Sequence, residues 1–166
     1  MRSKFSIYGH PFHPLLVALP IGLFVWTFAS DIIYVASDKE PEWYDISLWT
    51  GAAAVATALL AALPGFGDYF TIGIKSEART IGAAHMLLNL TTVALFAVAL
   101  LLMIDDNAVD GTNLAIVVAL HAVAVGLLSI SGVLGGEMTF RHHLAVIPHA
   151  DEVEREEARH RAETSV

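Results

Sequence analysis

Four long apolar blocks separated by short polar connections set the pattern of this chain, running from about Pro14 to Val35, Ile46 to Leu63, Ile81 to Ile104 and Leu114 to Leu134. Each holds about 18 to 25 residues, which suits a helix crossing a hydrocarbon core of roughly 30 Å. Connections this short make consecutive spans antiparallel neighbours. The expected fold is therefore all-α, a four-transmembrane-helix bundle of up-down-up-down order. Residues 1–148 form the membrane domain on this reading, and residues 149–166 a charged cytoplasmic tail. The run Pro64-Gly65-Phe66-Gly67-Asp68-Tyr69 is expected to break the second helix. Trp43, Tyr44 and Trp49 at one end of that span, and Tyr69 and Phe70 at the other, suit interfacial aromatic belts.

Composition agrees: 55% of the residues are hydrophobic and 16% charged, the balance of a membrane protein and not of a soluble domain. The placement of charge sets an orientation. Arg2 and Lys4 precede the first span, Lys75 and Arg79 lie in the second connection, and Arg141, Arg155, Arg159 and Arg161 follow the fourth; only Lys39 lies opposite. Asp38, Glu40, Glu42, Asp45, Asp105, Asp106 and Asp110 occupy the other two connections. The positive-inside rule then makes both termini cytoplasmic in a bacterial inner membrane. The net charge of −8 is an acidic rim and tail, which argues against nucleic acid as a partner. With no cysteine in the chain, disulfides, thiolate chemistry and covalent c-type haem attachment are excluded. The first span is longer than a signal-peptide core and reads as an uncleaved anchor.

Ionisable residues near apolar spans carry the candidate chemistry. His10 and His13 stand in Gly9-His10-Pro11-Phe12-His13-Pro14, each before a proline and so expected in extended backbone. His85 opens a stripe with Asn89 and Thr92 at helical spacing, which faces the bundle interior. His142 and His143 follow the fourth span. Topology places all of these, with Asp68 and Glu137, at the cytoplasmic end. Histidines joined by carboxylates make a metal-ligand constellation. Glycines and alanines concentrate at the same end, among them Gly65, Gly82, Gly135 and Gly136. They serve either close helix approach or space for a flat ring. Asp31 and His121 lie at a shared depth in the other half, and the cost of an uncompensated carboxylate there predicts that they pair.

These residues resemble a bacterial family of small four-helix membrane proteins catalogued as a domain of unknown function. The resemblance is carried by the GHPFHP opening, Leu19-Pro20-Ile21-Gly22, Asp31, the Gly65-x-x-Asp68-Tyr69 turn, His85 with Asn89, and the Gly135-Gly136-x-x-x-Phe140-Arg141-His142 ending. It implies the fold and the motif set but no activity. Similar members occur fused to c-type cytochromes or Rieske domains, which implies redox work by analogy. This chain has His143 where the family tends to have glycine, so His142 and His143 both stand as ligand candidates. His121 is outside the pattern.

The leading expectation is a membrane cofactor protein in which His10, His13, His85 and His142 bind haem b for electron transfer. The alternative is a non-haem iron, zinc or copper ion held by His10, His13, Asp68, His85, Glu137 and His142, with metal-bound water as the reactive group where a coordination position stays open. A third reading is an accessory subunit whose polar residues serve packing. Expected partners are the bilayer, a redox protein or larger membrane complex, and a second copy of the chain. The orientation is checked by single cysteines at Ser3 and Asp110 in this cysteine-free chain. An impermeant thiol reagent applied to intact cells should label position 110 and spare position 3; equal labelling at both would overturn it.

Overall fold

The computed structural model describes residues 6–8, 10–73, 76–104, 112–144 and 161. The chain folds into four helices: α1 (Phe12–Ala36), α2 (Pro41–Tyr69), α3 (Glu77–Ile104) and α4 (Thr112–Phe140). A two-residue antiparallel pairing, β1 (Ser6–Ile7) with β2 (His10–Pro11), precedes them. All four helices are long and apolar enough to cross a membrane. At 25 to 29 residues they reach about 37–44 Å, which spans the hydrocarbon and enters the headgroup layers. The apolar blocks marked only the middle of each helix, because the polar residues at the ends lie at headgroup depth and still continue the backbone ladder. The charged tail, including the Arg155 and Arg159 region, lies outside the described residues apart from Arg161.

α1 packs chiefly with α2 and α3 chiefly with α4, so the bundle is two helical hairpins with narrower contact between them. Leu19, Trp49, Leu63, Leu87, Leu101 and Val133 project outward as an apolar coat. Inside, Phe24, Ala54, Phe96, Ala124 and Leu128 form one buried cluster, with the Phe24 and Phe96 ring centroids 4.3 Å apart. Ala99, Leu100, Met103 and Val117 form a second. Gly51 lets the hairpins close on each other: a Cβ there would meet Leu100 Cδ2 at 3.2 Å and Thr27 Cγ2 at 3.3 Å.

Two expectations need correction. The Pro64–Tyr69 run does not break α2, which continues to Tyr69 with Pro64 inside it. A proline removes one backbone donor, and in a membrane helix a neighbouring side chain can serve the turn it disturbs; here the Ala61 carbonyl accepts a hydrogen bond from His13. His13 itself is not extended. It lies in the first turn of α1, where Pro14 lacks only an N–H that has no partner in any helix. Tyr44, near the start of α2, donates its hydroxyl to the Met103 carbonyl near the end of α3.

Past the end of α4, His143 takes a left-handed backbone with φ 48°. The N–H groups of His142 and Leu144 reach back to the carbonyls of Glu137 and Met138 and close the helix end. A residue with a Cβ pays about 1 kcal/mol in that conformation relative to glycine. His143→Gly should accordingly stabilise the protein by about 0.5–1 kcal/mol, seen as a raised midpoint in denaturant unfolding from detergent. A lowered midpoint would show that the His143 side chain outweighs its backbone cost.

Candidate functional site

The bundle has a near end, where α1 and α3 begin and α2 and α4 finish. α1 starts deeper than its neighbours finish. His13, its second residue, donates Nδ1–H to the Ala61 carbonyl at 2.8 Å, and Ala61 lies eight residues before the end of α2. His85 lies eight residues into α3, and it contacts Ser131, nine residues before the end of α4. The level of these groups is thus about 12–14 Å inside the near end of three helices.

His13 and His85 meet there, with ring centroids 6.3 Å apart and planes at 89°. Each ring is anchored the same way. A carbonyl oxygen only accepts, so the nitrogen facing it carries the hydrogen. His13 Nδ1–H donates to Ala61, and His85 Nδ1–H donates to the Ser131 carbonyl at 2.8 Å, with Ser131 Oγ 2.9 Å from the same nitrogen. Both neutral rings therefore present their lone pair at Nε2. That of His85 faces the Asn89 amide at 3.1 Å. The same amide nitrogen lies closer to Ser131 Oγ, at 2.8 Å, and to the His85 carbonyl, at 2.9 Å. Its two hydrogens thus keep acceptors without Nε2.

Glycines seat both imidazoles. A Cβ on Gly65 would lie 2.7 Å from His13 Nδ1, and one on Gly135 would lie 3.2 Å from His85 Cε1. The small residues at this end therefore give room to the protein's own rings. Farther toward the near end, Tyr69, Ile72 and Met138 gather around Gly82. Arg79 closes this corner, lying 4.6 Å over the Tyr69 ring and donating to the Ile72 carbonyl.

The other candidates are placed differently. His10 pairs through its backbone with Ile7, and its side chain is outside the described residues. His142 has a buried Nε2 without a hydrogen-bond partner. Glu137 accepts from Arg141 at 2.6 Å at the surface. Asp68 is half-buried near the end of α2, and its carbonyl accepts from Thr71. Among the described residues, no group of three or more His, Asp or Glu side chains converges to hold a metal ion. Sequence reasoning passed over Ser131 and the Ala61 carbonyl. Ser131 left a signal, a hydroxyl at membrane depth; a carbonyl leaves none.

The second polar site lies in the far half. Asp31 and His121, 3% and 0% exposed, are paired as expected, with His121 Nδ1 2.5 Å from Asp31 Oδ2. Ser47 of α2 donates to Asp31 Oδ1. His121 stacks on Phe96 with ring centroids 4.2 Å apart. Replacing His121 by alanine removes one of the two hydrogen-bond partners of the buried Asp31 side chain, and His121→Ala should cost roughly 1–2 kcal/mol of stability. Unfolding in detergent measures the loss. Whatever occupies the near-end imidazole pair should bind unchanged; a loss of that binding in folded protein would show the two sites to be one.

No curated protein and no solved structure matches the chain. Residues 9–148 match the family described as predicted membrane protein, DUF2231, a stretch that begins at the GHPFHP opening and includes every residue of both polar sites. The chain, a four-helix integral membrane protein with two paired polar sites in its bundle, belongs to this family of unknown function.

Proposed function

We propose that His13 and His85 bind haem b through Nε2, and that the protein carries electrons in the membrane. One observation carries this reading: both imidazoles donate Nδ1–H to a main-chain carbonyl. That bond holds a metal-ligating histidine in the required tautomer and orientation, and it makes Nε2 a better electron donor. Two imidazoles on one metal, at about 2.0–2.1 Å each, have centroids roughly 6–6.5 Å apart; these rings stand at that spacing, 6.3 Å, but meet edge to face, so binding would turn a ring to aim its Nε2 at the metal. A non-haem centre needs three or four protein ligands, whereas a porphyrin supplies four of the six around haem iron. A site with two imidazoles therefore favours haem over zinc, copper or non-haem iron.

When bound, haem would supply one-electron chemistry. The chain's own residues would hold and tune it. The Ala61 and Ser131 carbonyls fix the ring planes, Gly65 and Gly135 leave them room, and Asn89 turns its hydrogens to Ser131 Oγ and its own helix. On the positive-inside orientation the pair lies toward the cytoplasmic face of a bacterial inner membrane. A redox protein or larger membrane complex is then its exchange partner.

An absorption spectrum of the detergent-purified protein, with and without dithionite, tests this. A Soret band with α and β bands sharpening on reduction is expected, with near-complete loss in His85→Ala and His13→Ala and retention in His143→Ala. Gly65→Ala keeps every ligand but crowds the His13 ring, so it should weaken binding. A colourless parent with stoichiometric metal would favour a non-haem centre. A colourless, metal-free parent, or full retention of haem in both ligand variants, would reject the site and leave an accessory packing role.

A further inference from the structure

Arg79 is the only Lys or Arg within the four helices, and most of its hydrogen-bonding capacity is unspent. Nη1 donates to the Ile72 carbonyl at 2.9 Å, and Cζ lies 4.6 Å over the Tyr69 ring. A guanidinium carries five N–H donors in a planar fork and accepts nothing. Among the described residues no carboxylate meets this one: Glu137 is paired with Arg141, and Asp31 with His121. The carbonyl on one side and the aromatic face on another hold the fork in place before any anion arrives, which is the preorganisation that a bidentate contact with a carboxylate needs.

Its place relative to the imidazole pair gives that capacity a use. Arg79 lies six residues before His85 on α3, about 9 Å toward the near end. Between them stands Gly82, buried one turn from His85, and the Tyr69 ring that lies under the guanidinium also reaches Gly82, where a Cβ would stand 3.4 Å from Tyr69 Cδ2. The cation is thus fixed on the near-end side of the two Nε2 lone pairs. The middle of the bundle lies on their other side and is apolar, with Phe24, Ala54, Phe96, Ala124 and Leu128 as its buried cluster. Haem b is an apolar ring with two propionates on one edge. Carboxylates are costly in an apolar membrane interior, so a haem held at this level has to turn that edge toward the near end, where the free donors are. We infer that Arg79 is the propionate-binding residue of the site, holding one carboxylate of the porphyrin by charge-assisted hydrogen bonds while His13 and His85 hold the iron. The inference rests on the haem reading above and adds to it a direction for the ring and a selectivity for porphyrins that keep their free acid groups.

The test titrates the full chain, stripped of haem and held in lipid nanodiscs, with haem b and with haem b dimethyl ester, in which both propionates are blocked. The Soret band reads binding. Acid and ester partition differently into lipid, so each compound is compared between the parent and Arg79→Gln. The variant should bind haem b about tenfold more weakly than the parent, the size of one charge-assisted contact, and should bind the ester as the parent does, which also shows that the imidazole pair is intact. Arg79→Lys, which keeps the charge without the fork, should fall between, and it carries the comparison if Arg79→Gln does not fold. An equal loss for acid and ester would make Arg79 a packing contact of the turn after α2, and no loss for either would leave it to lipid headgroups. Both results overturn the propionate assignment while the haem reading stands. A parent that binds neither compound overturns the haem reading and this inference with it.

Discussion

A polar group inside a bilayer has no water to fall back on, so each must find its partner within the protein. This constraint orders the interior of the bundle. At the near-end level it joins the His13 ring to the Ala61 carbonyl and the His85 ring to Ser131 and Asn89. At the far level it joins Asp31 to Ser47 and His121. Between them, Thr92 donates to the Ala124 carbonyl, and Thr27 and Thr50 share a hydrogen bond across α1 and α2. Lipid offers helices little hydrophobic reason to associate, so these bonds and the close packing around Phe24 and Phe96 hold the bundle together.

The same constraint explains how a proline is tolerated inside a spanning helix. Pro64 removes the donor that would have served the Leu60 carbonyl and disturbs the ladder beside it. The next carbonyl, of Ala61, is where His13 donates. One turn along, Gly65 leaves the face open for the imidazole to lie against α2. Pro64, Gly65 and His13 thus act as one local unit built from two helices. In the sequence they look like a helix breaker and an unrelated pre-proline histidine.

That contrast marks how far the sequence could be read. Helix number, order and antiparallel packing followed from apolar block length, because a bilayer allows few alternatives. The Asp31–His121 pair and the inward stripe of His85, Asn89 and Thr92 were also legible, since charge or polarity at membrane depth leaves few places for a side chain to go. The meeting of His13 with His85 depended on α1 starting two turns deep, and that depth follows from which carbonyl His13 reaches. No residue type records it. The carboxylates of Asp68 and Glu137 seemed to belong with the histidines because topology put them at one end. A shared end fixes a level to within a turn or two, and Glu137 spends its charge on Arg141 at the surface.

The two hairpins are held together unequally along their length, and this bears on what the near end can do. Asp31 to His121 and Tyr44 to Met103 both cross from the first hairpin to the second, in the far half. His13 and His85, in contrast, are each bonded within their own hairpin, His13 to α2 and His85 to α4. They meet edge to face across the seam without a hydrogen bond to each other. A shift of one imidazole past the other therefore leaves both Nδ1 anchors intact. The near end as a whole is tied, because Arg79 of α3 lies over the Tyr69 ring of α2 and donates to the Ile72 carbonyl. The freedom is thus confined to the seam between His13 and His85, with Arg79 on one side of it and the buried Asp31–His121 pair on the other, so the two rings are the polar groups of the bundle that can adjust without breaking a hydrogen bond to each other.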